Sequence, residues 1–267
     1  MILEKCMKEI SIREPVITIV TVVYNSKATI ENTILSVINQ TYDNFEYIII
    51  DGGSTDGTLN IIEKYKSKIT HLVSEKDRGI YDAMNKGVDL AKGMWINFMN
   101  SGDIFTADNI LEKVFSVKCN ENIKFLYADY YIKYKNVKIL YKSDYNKGYI
   151  LHQSVIYKKE LHYKYGYYVI TDKIIISDYL FFNFVDIGYI KKIDIPISIN
   201  DGEGISSKAW SYRQKICADY VFRRISFKRL IYLFLFHCFR QVIKKIFGFY
   251  FSMIILEKYI KFKQKMI

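Results

Sequence analysis

The chain has 267 residues, of which half are hydrophobic and a quarter are charged. This balance excludes an intrinsically disordered chain, and the length suffices for one large domain or two small ones. The formal net charge of +11 indicates an anionic partner, and nucleic acid, anionic lipid and a phosphorylated substrate all stay open at this point.

The first hundred residues alternate between apolar runs that predict strands and periodic segments that predict helices. The first strand candidate, residues 16–25, is a continuous run rich in β-branched residues, as in strands that are buried on both faces. A segment with helical spacing follows, and Ser26 is its predicted N-cap. The other predicted strands are 45–50, 70–74 and 94–99, and the other predicted helices are 58–65 and 80–91.

This alternation predicts an α/β domain with a Rossmann-like, mainly parallel sheet that is flanked by helices. Parallel strands end at one edge of their sheet, called here the carboxyl edge, and ligands of such sheets bind outside it. Three of the four predicted strands end in polar or glycine-rich clusters, which are Tyr24-Asn25, Asp51-Gly52-Gly53 and Asn100 to Asp103. We therefore expect the functional site at the carboxyl edge.

The second half of the chain is less regular and ends in a basic, aromatic segment. Helices are predicted over 107–117 and 174–185, and strands over 125–134, 151–157 and 189–195. From about residue 206 the pattern is helical, with its longest uncharged apolar stretches at 230–239 and 246–256. Both are shorter than the roughly 20 residues of a spanning helix. They predict interfacial amphipathic helices, and the alternative is an ordinary helical subdomain with solvated Lys and Arg.

The cysteines and the N-terminus both favour a cytosolic protein. The four cysteines, Cys6, Cys119, Cys217 and Cys238, are far apart and form no Cys-x-x-Cys pair. A disulfide framework or a zinc site is therefore not expected, and reduced thiols fit better. The first fourteen residues carry acidic side chains and no long apolar run, so a secretory signal is not expected there.

Five aspartates follow or lie near the predicted strand ends: Asp51, Asp56, Asp77, Asp82 and Asp103. Carboxylates suit hard divalent cations, which in turn hold phosphate oxygens. The alternative for Asp51, Asp56 and Asp103 is that they cap a turn or a helix. Neither Gly-x-x-x-x-Gly-Lys-Ser/Thr nor Gly-x-Gly-x-x-Gly occurs, so the usual signatures of ATP hydrolysis and dinucleotide redox chemistry are missing.

Four segments occur in a fixed order: ITIVTVVYN, DGGSTDGT, SEKDRGIYDAMNKG and MNSGD. Together they resemble the family-two glycosyltransferases of the GT-A fold, and above all the bacterial subgroup that builds capsular, O-antigen or colanic-acid-like polysaccharides. The resemblance covers residues 15–105 strongly and 150–207 weakly. It implies an inverting transfer of a hexose or N-acetylhexosamine from a nucleotide-diphosphate sugar, with a UDP-sugar as the expected donor.

The resemblance also implies a role for each donor-side residue. Thr21, Tyr24 and Asn25 match the segment that lies against the nucleotide. Asp51 matches the acid that bonds the base, and the turn containing Gly53 shapes that pocket. The segment near the ribose and diphosphate is matched by Asp77 and Arg78, and the end of the fourth strand by Asn100, Ser101 and Gly102.

Asp103 matches the last acid of the family's Asp-x-Asp-like motif, which contacts the metal on the diphosphate. This implies a divalent cofactor, Mn²⁺ or Mg²⁺. The chain departs from the family here, because Asn100 stands where a first Asp is common and Gly102 replaces another. One carboxylate remains at the motif, so a bound cation would depend mostly on phosphate and water.

The acceptor side is implied by the second half of the chain. Asp178, in ISDYLFFNF, matches the expected catalytic base at the start of a helix, with Asp172 as the second candidate and an N-cap as the structural alternative. His152 and Gln153, in LHQSVIY, resemble a strand facing the acceptor, although a structural histidine is an equal alternative. The segment 201–207, DGEGISS, resembles a glycine-rich loop that closes over the diphosphate.

The predicted organisation is a GT-A catalytic domain over 1–207 and a basic amphipathic helical extension over 208–267. The expected acceptor is a lipid-linked glycan or oligosaccharide, and the expected location is the cytoplasmic face of the bacterial cell membrane, with peripheral contact through the C-terminal helices. The alternatives are a nucleotidyltransferase of α/β fold and a catalytically degenerate nucleotide- or nucleic-acid-binding protein. The acidic carboxyl edge argues against nucleic acid as a partner.

Overall fold

The first strand, β1 (Ile17–Val23), is buried at every residue, as its run of β-branched side chains predicts. The computed structural model describes residues 14–134, 137–202, 209–243 and 245. In it, β1 pairs in parallel with β2 (Phe45–Asp51) and with β4 (Trp95–Phe98), and β2 pairs in parallel with β3 (His71–Ser74). The four predicted N-terminal strands therefore form one parallel half-sheet.

The later strands extend this half-sheet in mixed directions. They are β5 (Ile104–Phe105), β6 (Phe125–Tyr134), β7 (Val137–Tyr141), β8 (Val155–Lys158) and β9 (Ile190–Asp201). The order is β3-β2-β1-β4-β8-β6-β9-β5, with β7 paired to β6. Because β8 is antiparallel to β4, it begins where β4 ends. The α/β prediction is confirmed, and the parallel pairing is concentrated in the N-terminal half.

Helices connect the strands and cover the sheet. They are α1 (Ile30–Ile38), α2 (Thr58–Glu63), α3 (Ile80–Leu90), α4 (Ile110–Ser116), α5 (Glu160–Tyr165) and α6 (Ser177–Phe184). In α1 the apolar side chains at helical spacing, Ile30, Ile34 and Val37, are all fully buried in the main core. The predicted N-cap Ser26 is wrong, because α1 begins after Thr29 and Ser26 lies in the preceding turn.

Short elements of the described ranges that were not predicted include β5, β7 and α5. Strand β9 also continues past Pro196, where its prediction ended. A proline cannot donate to a ladder, and the structure accommodates it at an irregularity in pairing, where the register with β6 shifts between Ala128 and Tyr130. Outside the ladder, the Pro196 carbonyl accepts a hydrogen bond from the Thr106 hydroxyl.

A buried carboxylate secures the sheet at the edge opposite the strand ends. Glu46 is 5% exposed and accepts hydrogen bonds from the Thr18 hydroxyl and from the backbone N–H groups of Lys92 and Gly93. Gly93 is required there, because a Cβ would lie 2.5 Å from the Thr18 backbone nitrogen. Glu46 therefore ties the end of α3 to the first two strands.

Replacing Glu46 by alanine should lower the free energy of unfolding by about 2–4 kcal/mol, since the Thr18 hydroxyl and the Lys92 N–H lose their acceptor and the Gly93 N–H keeps only the Thr18 hydroxyl. Urea unfolding measures this directly. Glu46→Gln keeps one side-chain oxygen and should cost clearly less. Equal costs for both variants would mean that packing, and not the hydrogen bonds, gives Glu46 its effect.

Residues 1–204 and 205–267 form two compact units. The predicted boundary at 207/208 falls on residues outside the described ranges and stays a prediction, as does the loop 203–207. In the second unit, α7 (Ala209–Val221) is followed by a helix over 227–243. Among the described residues, no helix is both long enough and apolar enough to cross a membrane.

Candidate active site

The loops that follow β1, β2 and β4 meet at the carboxyl edge, as the parallel pairing requires. The backbone N–H of Gly52 donates to the Val23 carbonyl at 2.9 Å, and that of Ser101 donates to the Val22 carbonyl at 3.1 Å. The three polar clusters predicted from the sequence are thereby brought side by side. The prediction that these clusters share one edge is confirmed, and the location of the functional site there stays a prediction.

Asn25 fastens the loop after β1 to the loop after β2. It has a φ of 47°, a left-handed conformation that asparagine tolerates better than most residues. Its side-chain Oδ1 accepts the Thr55 N–H at 2.8 Å, and its own N–H donates to the Ser54 hydroxyl at 2.8 Å. With both loops fixed, the neighbouring Tyr24 ring stays 63% exposed and faces outward.

Gly52 leaves a narrow gap between two side chains of the predicted donor pocket. A Cβ at this position would lie 2.8 Å from Asp77 Oδ2 and 3.4 Å from the Tyr24 ring. The following residue, Gly53, has a φ of 81°, which a residue with a side chain adopts only under strain. The glycine pair thus keeps open a slot lined by an aromatic ring and a carboxylate.

Thr21 and Asp51 lie beneath this slot rather than on its surface, and both are fully buried. The Thr21 hydroxyl donates to the Met99 carbonyl at 2.8 Å. The Asp51 carboxylate accepts the N–H and hydroxyl of Ser54 and the Ser74 hydroxyl. Through these hydrogen bonds, Asp51 stabilises the conformation of the DGGSTDGT turn. A contact from Asp51 to a nucleotide base stays a prediction.

Asp56 adopts the capping alternative. Its carboxylate accepts the backbone N–H groups of Lys27 and Thr58 at 3.0 and 2.9 Å, just before α2. The Thr58 hydroxyl also donates to this carboxylate. This hydrogen bond has the largest effect on the pKa of Asp56, and together with the bond from the Lys27 N–H it lowers that pKa. Asp56 therefore closes the loop and is not part of the predicted site.

Lys86, which the sequence analysis did not assign, organises the acidic segment before α3. Its Nζ lies 2.7 Å from both Glu75 and Asp77 and 3.7 Å from Asp82. Burial opposes its charge, yet the bonds to Asp77 and Glu75 raise the pKa of Lys86 above its usual range. The i,i+4 spacing of Asp82 and Lys86 on α3 is the signal that could have identified it.

Burial raises the pKa of Asp77, against the opposing effect of its hydrogen bond from Lys86. Arg78 reaches past this cluster into solvent, with a side chain that is 76% exposed. One of its guanidinium nitrogens, Nη2, donates to Asp82 at 3.0 Å, and its backbone N–H donates to the same carboxylate. Arg78 is thus an exposed cation that Asp82 holds in place, next in sequence to Asp77, which borders the slot.

The segment Asn100–Asp103 forms a tight turn after β4. Gly102 has a φ of 98°, and its N–H donates to the Thr33 hydroxyl, which in turn donates to the Asp103 carbonyl. Ser101 approaches the Thr29 hydroxyl at 3.4 Å. The start of α1 therefore supports this turn through the Thr29 and Thr33 hydroxyls, a role that helical spacing alone does not predict.

Asp103 is 7% exposed and lies directly before β5. Its Oδ2 accepts the Gln153 side-chain amide, and its Oδ1 accepts the Asp201 N–H at 3.2 Å. Burial raises the pKa of Asp103 to about 6, although the bond from Gln153 acts in the opposite direction. A nearby cation would relieve this cost of ionisation.

His152 and Asp178, which are predicted to lie on the acceptor side, contact each other directly. His152 lies in a short turn just before β8, and Asp178 lies in the first turn of α6. The His152 Nδ1 is 2.8 Å from Asp178 Oδ2, and its Nε2 is 2.9 Å from the Asn100 side-chain amide. The Tyr81 hydroxyl donates to Asp178 Oδ1 at 2.8 Å.

Burial opposes ionisation of Asp178, yet the hydrogen bonds from His152 and Tyr81 hold its pKa below the usual range. The second candidate, Asp172, is exposed in the loop before α6. The structure therefore joins Asp178, His152 and Asn100 in one hydrogen-bonded path, with Gln153 and Asp103 beside it. Tyr81 belongs to this path too, and the sequence analysis did not single it out.

The oxygen donors near Asp103 fit a weakly held cation and not a preformed metal site. Among the described residues, no group of three His, Cys, Asp or Glu side chains could hold a metal ion. One carboxylate, at Asp103, is available, and the buried Asn100 Oδ1 has no hydrogen-bond partner in this part of the chain. Such a set suits a divalent ion that takes most of its ligands from phosphate and water.

Residues 18–180 match the family model described as Glycosyl transferase family 2. The chain is 29% identical over 160 residues to a PGL/p-HBAD biosynthesis glycosyltransferase of Mycobacterium bovis, covering 55% of this chain and 60% of that protein. It is 36% identical over 118 residues to an Escherichia coli protein, the UDP-Glc:alpha-D-GlcNAc-diphosphoundecaprenol beta-1,3-glucosyltransferase WfaP, covering 44% of this chain and 47% of that protein. The chain thus spans about half the length of these relatives.

The fold is similar to that of the mannosyltransferase PcManGT from Pyrobaculum calidifontis, solved in complex with GDP-Man and Mn²⁺. The TM-score is 0.61 at 14% identity, and the match covers 93% of this chain and 80% of that one. At this identity the likeness supports the fold alone.

Proposed function

The chain belongs to glycosyl transferase family 2, and we propose that it moves a hexose or N-acetylhexosamine from a nucleotide-diphosphate sugar to a glycan acceptor. The proposed transfer inverts the configuration at the anomeric carbon of the sugar. The observation that supports this best is the hydrogen-bonded path from Asp178 through His152 to Asn100. It links a carboxylate suited to acceptor activation with the turn suited to donor binding. A nucleotidyltransferase would need a glycine-rich phosphate loop with Lys or Arg after β1, and VYNSKATIENT, which has no glycine, stands there instead.

We place the donor in the slot beside Gly52. The Tyr24 ring can stack on a nucleobase, and the Asp77 carboxylate can accept hydroxyl groups of a ribose. Arg78 can balance the charge of a diphosphate. WfaP carries UDP-Glc in its name, which favours a UDP-sugar here as well.

We propose that Asp103 contacts a divalent cation, Mn²⁺ or Mg²⁺, that arrives with the donor diphosphate. PcManGT was solved with Mn²⁺ beside its nucleotide sugar. When bound, such an ion stabilises the negative charge that develops on the departing diphosphate. The protein's part is to hold Asp103 in place, through Gln153 and the Asp201 N–H, so that its carboxylate and the motif turn face the leaving group.

On the acceptor side, the ionised carboxylate of Asp178 favours removal of the proton from the acceptor hydroxyl. Attack by that oxygen on the anomeric carbon, opposite the diphosphate, inverts the configuration. The acceptor that we propose is a lipid-linked glycan, because WfaP is named for a diphosphoundecaprenol acceptor and because the second unit carries an apolar, basic helix.

The test of donor binding is calorimetry with UDP-, GDP- and dTDP-sugars, with and without Mn²⁺. Gly52→Ala should weaken binding of the matching donor about tenfold, since the added Cβ enters the slot at 2.8 Å from Asp77. The matched control is Gly188→Ala, where a Cβ meets nothing within 4 Å. If no donor binds the wild type, the proposed function fails. If Gly52→Ala binds normally, the donor lies elsewhere.

We propose that the protein contacts the cytoplasmic face of a membrane through the helix over 227–243. Apolar side chains repeat along it at helical spacing, and all of them are at least 45% exposed: Phe227, Ile231, Leu235, Phe239 and Val242. No acidic residue occurs between Val221 and Lys245. Aromatic and aliphatic side chains insert at a lipid interface while Lys and Arg are drawn to anionic headgroups.

The double variant Leu235→Glu with Phe239→Glu should weaken binding to vesicles containing anionic lipid by at least about tenfold, because two inserting side chains are lost and charge repulsion is added. Vesicle co-sedimentation measures this. The same change at Val137, which is 60% exposed on β7, is the matched control. Equal binding by wild type and double variant would contradict membrane contact through this helix.

A further inference from the structure

Tyr81 contacts Asp178 from the helix that follows the segment proposed to bind the sugar donor. It lies in the first turn of α3, and its hydroxyl donates to Asp178 Oδ1 at 2.8 Å. The other oxygen, Oδ2, lies 2.8 Å from His152 Nδ1. An ionised carboxylate has about four lone-pair positions, so Asp178 can still accept a hydrogen bond from an acceptor hydroxyl while both contacts are kept.

The Asp178 carboxylate needs both contacts to be held in one rotation. The torsion that turns an aspartate carboxylate is soft, because it joins an sp³ carbon to an sp² carbon and has broad minima. A hydrogen bond from His152 alone holds one oxygen. The bond from Tyr81 comes from a different element and holds the second oxygen, and with it the direction of the remaining lone pairs.

The Tyr81 ring is itself fixed by its surroundings. It is 7% exposed, and its centroid lies 5.8 Å from that of the Tyr168 ring. Tyr168 is fastened to α3 by two hydrogen bonds between its backbone and the Asn85 side chain, at 2.9 and 3.1 Å. The Tyr168 hydroxyl also lies 2.7 Å from that of Tyr157 on β8. The Tyr81 hydroxyl therefore has little freedom to move away from Asp178.

Tyr81 acts on Asp178 as a hydrogen-bond donor and not as a base. Burial raises the pKa of Tyr81 well above its ordinary value, and the negative charge of Asp178 raises it further. The phenol therefore keeps its proton at neutral pH and does not take one from the acceptor. Such a group is suited to orienting the carboxylate that it contacts.

Helix α3 also orders the proposed donor segment. Asp82, next in sequence to Tyr81, accepts hydrogen bonds from the backbone N–H and from Nη2 of Arg78. One turn further along, Lys86 donates to Asp77 at 2.7 Å. One helix thus holds the two charged side chains proposed to contact the donor and the hydroxyl that contacts Asp178.

We propose that Tyr81 is a positioning residue of the transfer, whose hydroxyl sets the rotation of the Asp178 carboxylate from the same helix that orders the donor segment. The proposal rests on the proposed function, because it takes Asp178 as the base. The acceptor hydroxyl gives its proton to Asp178 along a lone pair whose direction Tyr81 has set, and Tyr81 keeps its own proton throughout. Misdirection of a base is costly, since a displacement of about 1 Å can lower a rate about 10²-fold.

The loss of the Tyr81 hydroxyl should also change the pH dependence of the reaction. The titratable side chains that act on Asp178 from the elements around it are Tyr81 on α3, His152 before β8, Tyr157 on β8 and Tyr168 in the loop after α5. Burial opposes ionisation of Asp178, and the hydrogen bonds from His152 and Tyr81 lower its pKa. Tyr157 and Tyr168 keep their protons, because burial raises the pKa of both. Without the Tyr81 hydroxyl the pKa of Asp178 is higher, so the ionised base forms only at higher pH.

The experiment compares wild type, Tyr81→Phe and a protein with 3-fluorotyrosine in place of Tyr81, using the sugar donor identified by calorimetry and a lipid-linked glycan acceptor. Tyr81→Phe should lower kcat by about 10–100-fold with little change in donor KM. The acid limb of its kcat/KM profile should move to higher pH. Fluorotyrosine, whose hydroxyl is a stronger donor, keeps the bond and should move that limb to lower pH. A purely structural role for the ring predicts no movement of the limb in either protein.

The matched control is Tyr65→Phe, which removes a phenol hydroxyl that donates to the Glu31 carboxylate at the same distance of 2.8 Å. It should keep the wild-type kcat and pH profile. A ¹³C titration of the Asp178 carboxyl carbon needs no substrate, and in it Tyr81→Phe should show a higher pKa of Asp178 than wild type. If Tyr81→Phe does not fold, the fluorotyrosine protein decides alone.

Two results would overturn the proposal while the proposed function stands. One is a kcat for folded Tyr81→Phe within about threefold of wild type together with an unmoved acid limb. The other is normal donor binding by the variants together with an unchanged titration of Asp178. Absence of donor binding by the wild type would instead overturn the proposed function, and this proposal with it.

Discussion

Replacing Asp178 by asparagine should lower kcat by about 10³–10⁴-fold while the donor still binds. The amide is nearly isosteric with the carboxylate, so packing around α6 is kept. What is lost is the negative charge between His152 and Tyr81, together with the acceptor that fixes the imidazole tautomer. Without that charge, the proton of the acceptor hydroxyl has no favourable destination.

Steady-state kinetics with saturating donor and acceptor checks this, together with calorimetric binding of the donor. Asp172→Asn is the matched control, since it makes the same change at an exposed carboxylate in the loop before α6. It should have wild-type kcat. If Asp172→Asn lost activity and Asp178→Asn kept it, the assignment of the acceptor side would be reversed.

Asp103→Asn should produce a protein that is more stable but inactive. The pKa of Asp103 is raised from 3.8 to about 6, so the folded state holds this proton more tightly than the unfolded state. The resulting stabilisation is complete below pH 3.8 and is lost as the pH rises through about 6. At pH 7 the ionised group therefore costs about 3 kcal/mol of stability, which the neutral amide does not.

The neighbouring Gln153 can accommodate the amide, because its Oε1 has no hydrogen-bond partner within the described ranges. Rotation of the Gln153 amide by half a turn would let that oxygen accept from the NH₂ group that the substitution introduces. We expect the free energy of unfolding at pH 7 to rise by about 1–3 kcal/mol, and the gain to vanish near pH 4. Metal-dependent turnover should fall by about 10²-fold or more, since the only carboxylate at the motif is gone.

Urea unfolding at pH 4 and pH 7, together with donor titrations with and without Mn²⁺, tests both halves of this expectation. A variant less stable than wild type at pH 7 would show that Gln153 does not rearrange. Unchanged metal-dependent binding of the donor would show that the cation lies away from Asp103, and the proposed role of this residue would be wrong.

The parts of the fold that the sequence predicted well are those fixed by local pattern. The apolar run of β1 predicts a buried strand, and the glycine clusters after β2 and β4 predict loops. The alternation of strands and helices predicts a parallel sheet, so these loops are expected at one edge. The family resemblance supplied the positions of His152, Gln153 and Asp178, which no local pattern joins. Their mutual distances come from α6 and β8 packing together, and sequence spacing does not encode that.

Burial and partner choice were the harder properties to predict. Asp51 and Asp103 have the same residue type in similar turns, yet one is saturated with hydroxyl and backbone donors while the other has its pKa raised by burial. Lys86 and Tyr81 were visible in SEKDRGIYDAMNKG, but their roles depend on which side chains α3 faces. The continuation of β9 past Pro196 was not predicted, because the irregular pairing of β9 with β6 that accommodates the proline is a tertiary feature that the local sequence does not show.

The reversal of direction between β4 and β8 has a consequence for how such a protein can diversify. The proposed donor half of the site is encoded before residue 106, in loops at the ends of parallel strands. The proposed acceptor half is encoded after residue 150, and it reaches the same edge because β8 runs antiparallel to β4 and starts there. The two halves touch through a few side chains, chiefly Asn100 with His152 and Asp103 with Gln153. The molecule is in this sense modular, and grafting residues 150–202 from a relative should change which glycan is extended while the activated sugar stays the same.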